Sequence, residues 1–322
     1  MRDIKVSIYT KSDYIEDPDD SLFFHSRRLM RIYESTPRHA PYMAVASEEG
    51  RVMACMLAVV RWRASWLPPY FYRQCRIYGE GSYRCEEREY VFGLMLSALR
   101  ERVGNSVFFM EISNLSQKMF GYGQLRRNGF FPVRWMSIHN SLHSKRAEER
   151  LSAKMLRRIS LARERGITVE EVKDDKGLND FINLLRSHNQ MKIKRFIPKP
   201  QFFREIMKEE CCHMLLARYR GKAIGCCATI YSMGNAYLWY TAFKRKSYIT
   251  LHPAETTVFE ALKRAEKDGC RHMLFLDVGL PYRKNPFREF IMRFGGKPVS
   301  TFRWFAIRPK WLGRILSWMF RG

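Results

Sequence analysis

Two blocks of this sequence recur in the same order along the chain, and a chain that repeats itself is constrained to two similar units. The run YMAVASEEGRVMA at 42–54 lies on HMLLARYRGKAIG at 213–225, so that Met43 falls on Met214, Ala46 on Ala217, Gly50 on Gly221 and Arg51 on Lys222. Each run reads as strand, tight turn, strand, with the glycine supplying the backbone freedom the turn requires. Further on, FFMEI at 108–112 matches LFLDV at 274–278, and the same offset sets Gly129 on Gly295, Pro132 on Pro298 and Val133 on Val299. The carboxylates Glu111 and Asp277 coincide.

A helical stretch precedes each of these strands, over 87–102 and 254–267. In the second, Val258, Phe259, Leu262 and Ala265 form an apolar stripe opposite Lys263, Arg264 and Lys267. A further helix follows, for which Asn285 is the expected N-cap, Pro286 the first helical residue and Gly295-Gly296 the stop. Hairpin, helix, strand, helix, glycine and strand, twice over, predict an α/β chain with a mixed sheet flanked by helices in each half. Between the copies, Ser144–Arg165 carries eight basic and three acidic residues, with Leu151, Met155, Ile159 and Ala162 on one helical face. The predicted organisation is therefore a first domain at 1–145, a basic interdomain helix at 146–166, a second domain at 167–308 and a basic amphipathic helix at 309–322.

The balance of 57 Lys and Arg against 32 Asp and Glu leaves a formal charge of +25 in 322 residues, which raises the local concentration of polyanions. Nucleic acid, anionic lipid and phosphorylated small substrates all fit. The eight cysteines include two adjacent pairs and no C-x-x-C, so neither a zinc ribbon nor a redox motif is signalled and no metal site is expected. A signal-peptide pattern is lacking, which predicts a cytoplasmic location. The longest apolar run, 53–60, is far short of the roughly 20 residues a membrane span needs.

The order of elements is similar to the GNAT acyltransferase fold, and two such units joined by a basic helix resemble the Fem family of tandem GNAT-like transferases. The resemblance rests on AYLWYTAF at 236–243, LHPAETTVFEALKRAEKDGCRHMLFLDVG at 251–279, REFIMRFGGKPV at 288–299, EISNLS at 111–116 and NGFFPV at 128–133. It implies two tandem GNAT-like domains and transfer of an acyl or aminoacyl group to an amine, in this family from aminoacyl-tRNA to a peptidoglycan precursor. No permanently bound cofactor is implied; the donor is aminoacyl-tRNA or acyl-CoA. The sequence departs from these patterns twice. Where GNAT enzymes carry a glycine loop that cradles the coenzyme A pyrophosphate, this chain has Ile249-Thr250-Leu251-His252-Pro253, without glycine and with a proline that has no N–H to donate. Ile291 stands where the Fem pattern has a lysine, leaving Arg288 or Arg293 to supply charge from a neighbouring turn. Two other functions fit the same fold: N-acylation of a lipid or small amine from an acyl-thioester, and noncatalytic binding of tRNA or anionic lipid.

Transfer to an amine needs the amine deprotonated, the carbonyl within reach and donors aimed at the developing oxyanion. Asp277, at the end of an apolar strand, either accepts the amine's proton or caps a helix and pairs with an arginine. His252 is either a base beside a cleft or a loop residue. Strand alternation sends Tyr237 and Trp239 to one face and Leu238 and Tyr240 to the other, one aromatic pair for the core and the other for a pocket. Tyr240 joins the catalytic candidates, and Trp239 the substrate-binding ones. The basic segment at 191–199, with Lys192, Lys194 and Arg195 around Phe196 and Ile197, is expected to share a cleft with Arg288 and Arg293 and hold an anionic acceptor or tRNA phosphates. From 309 onward, Trp311, Leu312, Ile315, Leu316, Trp318, Met319 and Phe320 alternate with Lys310, Arg314 and Arg321. That helix either lies in an anionic membrane interface or folds back with Trp311 and Ile315 in a groove.

Overall fold

The computed structural model describes residues 4–15, 21–64, 70–115, 119–189, 196–276 and 278–320. Asp277, Lys192, Lys194, Arg195 and Arg321 lie outside them. Chain order is β1 (Ile4–Tyr9), α1 (Arg27–Ser35), β2 (His39–Glu48), β3 (Arg51–Ala64), β4 (Phe71–Tyr78), β5 (Ser82–Tyr83), α2 (Arg88–Val103), β6 (Phe109–Ser113), α3 (Tyr122–Arg127) and β7 (Phe131–Ser141). It continues with α4 (Ala153–Glu164), β8 (Ile167–Glu171), α5 (Asp175–Asn189), α6 (Pro200–Ile206), β9 (Cys212–Tyr219), β10 (Lys222–Ser232), β11 (Asn235–Phe243), α7 (Pro253–Lys267), β12 (His272–Phe275), α8 (Pro286–Met292), β13 (Lys297–Ile307) and α9 (Lys310–Met319).

The repeat is visible in the backbone. In β2–β3 the pair Glu48↔Arg51 closes on Glu49 and Gly50, with φ of 49° and 80°. In β9–β10 the pair Tyr219↔Lys222 closes on Arg220 and Gly221, with φ of 48° and 74°. Positive φ at both central residues is the two-residue turn whose twist suits a hairpin. Each hairpin also carries one bulge: the register passes over Met53 in the first and Ile224 in the second, and 224 − 53 gives the same offset of 171 that aligns Met43 with Met214.

The chain folds into two compact units, Met1–Trp135 with Ser300–Gly322, and Met136–Val299. The boundary expected near 145 follows the sequence repeat, whereas the compact units exchange their last strands. In the first unit the order is β1-β2-β3-β4-β6-β13, with β4 and β6 parallel and its other pairs antiparallel. In the second it is β8-β9-β10-β11-β12-β7, with β11 and β12 parallel and β7 antiparallel to β12. Each closing strand thus comes from the other half of the repeat. The helix expected as a connector, α4, belongs to the second unit; its Met155 and Ile159 pack in one core with Val258, Phe259 and Leu262 of α7.

The helices form where the sequence signals them. Ser152 Oγ accepts from Met155 N, and Asn285 Oδ1 accepts from Phe287 N and Arg288 N with Pro286 at the first turn. Helix α2 buries Val91, Phe92, Met95, Leu96 and Leu99 against Ala44, Met56, Ala58, Ile77 and Ile112. The tight GG after α8 has a steric cause: a Cβ on Gly296 would lie 2.4 Å from Ile138 Cγ2. Ile291 is fully buried in the same core as Phe290 and Phe294.

His25 is fully buried, with Leu57 N 3.0 Å from its Nδ1 and Gly81 N 3.0 Å from its Nε2; a neutral ring accepts from one of them, its other nitrogen carrying the proton. Burial pushes its pKa from 6.5 down to about 3, against a backbone hydrogen bond with Tyr78 that acts the other way. The fold therefore holds a neutral imidazole. Above pH 6.5 neither state is protonated there. As pH falls from 6.5 toward 3, the unfolded chain takes up a proton that the folded chain refuses, so stability should drop by up to about 1.4 kcal/mol per pH unit from this group. Denaturant unfolding between pH 7 and 4 measures it; a flat stability across that range would contradict the assignment.

Candidate functional site

The parallel pair of the second unit opens. Among the described residues, strand β11 pairs with β12 from Asn235↔His272 to Leu238↔Phe275, while β11 continues along β10 to Phe243. The chain leaving β12 stays with β7: Gly279 O accepts from Met136 N. Among the described residues the sheet therefore divides between β11 and the segment after Phe275, and Tyr240–Phe243 keep their ladder on the β10 side. Asp277 lies outside the described residues.

A bulge lies at the same place. The β10 register passes from Ala228↔Tyr240 to Thr229↔Leu238, so Trp239 is the extra residue. It breaks the alternation that would send Trp239 and Tyr240 to opposite faces. Both rings instead meet Phe202 of α6, at 5.6 and 6.3 Å, and lie 5.1 Å from each other; Phe203 is 5.2 Å from Tyr240. Trp239 and Tyr240 are buried and form one aromatic cluster with α6 beside the opening.

At the N-terminus of α7 lies a cleft of about 350 Å³ lined by Arg158, Arg245, Lys246, His252, Glu255 and Arg293, with Tyr248, Ile249 and Pro253. His252 has left-handed backbone, φ 48° and ψ 48°, and sits as the N-cap of α7 without a side-chain cap; its carbonyl accepts from Thr256 N. Its Nδ1 is 3.9 Å from Glu255 Oε1, and that carboxylate is 3.6 Å from Arg158. Partial burial lowers the His252 pKa, Glu255 opposes the shift, and Arg158 and Arg165 reinforce it. A neutral imidazole at neutral pH is thus held next to four cations and the positive end of a 15-residue helix.

Of the residues singled out in the sequence, His252 and Arg293 come together here. Arg288 does not: its guanidinium donates to the carbonyls of Leu280 and Arg283 at 2.7 Å and Pro281 at 3.4 Å, fastening the loop before α8. The expected shared cleft of Arg288 and Arg293 with 191–199 is therefore not formed by Arg288. Arg158, Arg245 and Lys246 went unnoticed in the sequence because each is one more cation in a basic chain. Burial pushes the thiols of Cys75 and Cys227 up to about 12 and that of Cys270 to about 11, which disfavours the nucleophilic thiolate at each.

The first unit carries a different polar group. Glu111 of β6 accepts from Gln74 Nε2 of β4 at 2.7 Å and from Arg303 Nη1 of β13 at 3.1 Å, with Arg76 at 3.6 Å. Gln74 Oε1 in turn accepts from Arg61 Nη2 of β3 at 3.1 Å. All but Arg76 are buried, and four strands are tied by one chain of hydrogen bonds.

The sequence profile of the acetyltransferase (GNAT) domain matches residues 149–284, within the second unit. Three solved structures are similar to this chain along most of its length. One is FemX, at 11% identity and a TM-score of 0.65, covering 95% of this chain and 96% of that one. The chain carries a tandem GNAT fold. The other two agree with it: the C-terminal domain of a protein from Agrobacterium fabrum named as a lysylphosphatidylglycerol synthetase (12% identity, TM-score 0.60, 94% and 92% covered), and a tandem GNAT protein from the clavulanic acid biosynthesis pathway (10%, 0.58, 95% and 98%). No curated protein matches the sequence. In GNAT terms, the opening between β11 and β12 and the α7 cleft belong to the second copy, and the Fem-like resemblance read from 251–299 falls on these same elements.

Proposed function

We propose that this chain transfers an acyl or aminoacyl group to an amine, with the second unit holding the donor. The observation that carries the reading is the opening between β11 and β12 next to a basic cleft at the start of α7. An extended donor arm can lie along β11 beyond Leu238. The cleft can neutralise donor phosphates, and His252 can take the proton of the attacking ammonium. Direct transfer needs no nucleophilic side chain.

The donor we favour is aminoacyl-tRNA rather than acyl-CoA. Pro253 occupies the first position of α7 and offers no N–H, and the residue before it is His252 rather than a glycine. Anion recognition there falls to side chains, Arg158, Arg245, Lys246 and Arg293, which suits a polyanionic donor. The neighbour named for lysylphosphatidylglycerol synthesis and the FemX likeness support an acceptor amine or headgroup of the cell envelope, in keeping with a cytoplasmic enzyme that meets a membrane. Acyl-CoA as donor to a lipid or small amine is the reading that the same opening leaves to experiment.

Binding of charged tRNA, coenzyme A thioesters and nucleotide-linked wall precursors, measured by calorimetry, separates these donors. Arg245→Glu with Arg293→Glu, both at exposed positions, should weaken donor binding by at least about tenfold and reduce the slope of affinity against salt by about two phosphate contacts. An unchanged affinity and slope would mean that the cleft is a solvated basic surface.

A further inference from the structure

Helix α9 has two apolar faces. One is directed inward: Leu312 and Leu316 are half-buried, and a Cβ on Gly313 would stand 3.7 Å from Ile307 at the end of β13. The other is open. Trp311, Ile315, Trp318 and Met319 are 66, 49, 73 and 62% exposed, so the folded-back alternative with Trp311 and Ile315 in a groove is not the arrangement found. Spacings of four and three residues align 311, 315 and 318 on one stripe.

A second group of exposed aromatics lies at the same end of the first unit's sheet. The register shows it: β3 ends at Ala64 opposite Phe71, β4 pairs Gln74 with Phe109 at the start of β6, and Phe109 pairs with Ile307 at the end of β13. At that end Phe71 is 77% exposed, with Trp62 and Tyr70 also exposed. The Arg73 guanidinium lies 4.2 Å from the Trp62 ring centroid. Beside α9 is a cleft of about 560 Å³ lined by Arg100, Arg126 and Arg314 together with Phe130, Phe131 and Trp318, with no acidic residue among its described lining residues.

The geometry points to this end of the first unit as a docking surface for an anionic phospholipid bilayer. Trp311, Ile315 and Trp318 enter the interface, and the Arg100–Arg126–Arg314 cleft receives a headgroup phosphate. A bilayer is the partner that takes an apolar stripe and flanking cations at once, and tryptophan favours that boundary. The complementarity of charge supports it: the first unit's closing segment, Ser300–Gly322, has five basic residues and no acid, in a chain of net charge +25. At ten residues α9 is too short to cross a bilayer, and no described helix is long and apolar enough to do so, so the contact is peripheral. The inference stands apart from the transfer chemistry and is read without it.

The test is co-sedimentation of the full chain with phosphatidylcholine vesicles carrying phosphatidylglycerol, against phosphatidylcholine alone. Wild-type protein is expected to pellet with the anionic vesicles and stay in solution with the neutral ones. Trp311→Ala with Trp318→Ala should weaken vesicle binding about a hundredfold, and Arg126→Ala with Arg314→Ala roughly thirtyfold, with melting temperatures unchanged because these side chains are exposed. Equal partition into both vesicle types, or variants that bind as wild type does, would overturn the proposal. Full displacement by excess inorganic phosphate would reassign the cleft to a free anion. Loss of tRNA binding in the tryptophan variants with vesicle binding intact would make the surface a nucleic-acid one. If the tryptophan pair lowers the melting temperature, the arginine pair decides alone.

Discussion

A Glu111→Ala variant should lose about 3–5 kcal/mol of folding stability, because it removes the single carboxylate onto which Gln74, Arg303 and Arg76 converge. Removing one partner of a buried pair leaves the other charge in a poorly solvated place, which costs far more than the pair contributes when intact. The effect should be concentrated in the first unit, where Glu111 joins β6 to β13 across 192 residues of sequence. Glu111→Gln keeps an acceptor for Gln74 or Arg303 and should fall between the two. Denaturant unfolding of the three proteins measures this, and a Glu111→Ala curve superimposable on wild type would sink the idea that the network closes the sheet.

Replacing His252 should lower the rate of transfer by about 10²- to 10⁴-fold if it is the base. The substitution to use is His252→Asn, since asparagine tolerates the left-handed backbone found there, φ 48°, and a loss then reports chemistry rather than strain. Because burial and two nearby arginines lower its pKa below 6.5, the imidazole is neutral and competent at neutral pH. The acid limb of the rate profile should accordingly fall at a pH below 6.5 in the wild-type protein. In His252→Asn that limb should vanish along with most of the rate. Retention of full rate would place His252 among ordinary helix-capping residues and leave proton removal to another group.

The hairpins were legible because their cause is local. Gly50 and Gly221 are required by turns of two residues, and the apolar runs on either side can pair only with each other. The N-cap Asn285, the stripe Val258, Phe259, Leu262 and Ala265, and the GG stop after α8 were readable on the same grounds. The exchange of closing strands was not, because 131–141 and 297–307 have the same pattern in either pairing and nothing in a strand's composition states which sheet receives it. The bulge at Trp239 likewise has no local marker, and it alone moves Tyr240 from the face that alternation assigns to it. Glu111 was visible as the counterpart of Asp277. Its partners were not, since Gln74, Arg76 and Arg303 are brought to it by pairing of distant strands. Arg288 had the right charge for a ligand residue, but only the positions of three loop carbonyls reveal that it fastens its own loop.

The exchange of closing strands has a consequence for how the protein is made. The second unit, Met136–Val299, is continuous, whereas the first is interrupted by it and resumes at Ser300. On the ribosome, the first unit's amino-terminal part emerges before the second unit yet lacks its closing strand until β13, Lys297–Ile307, has been synthesised. Arg303, which completes the shell of Glu111, arrives with that strand. The unit that emerges earlier is thus the one that finishes folding later, and an unfinished chain exposes the edge of β6 with a carboxylate awaiting its arginine.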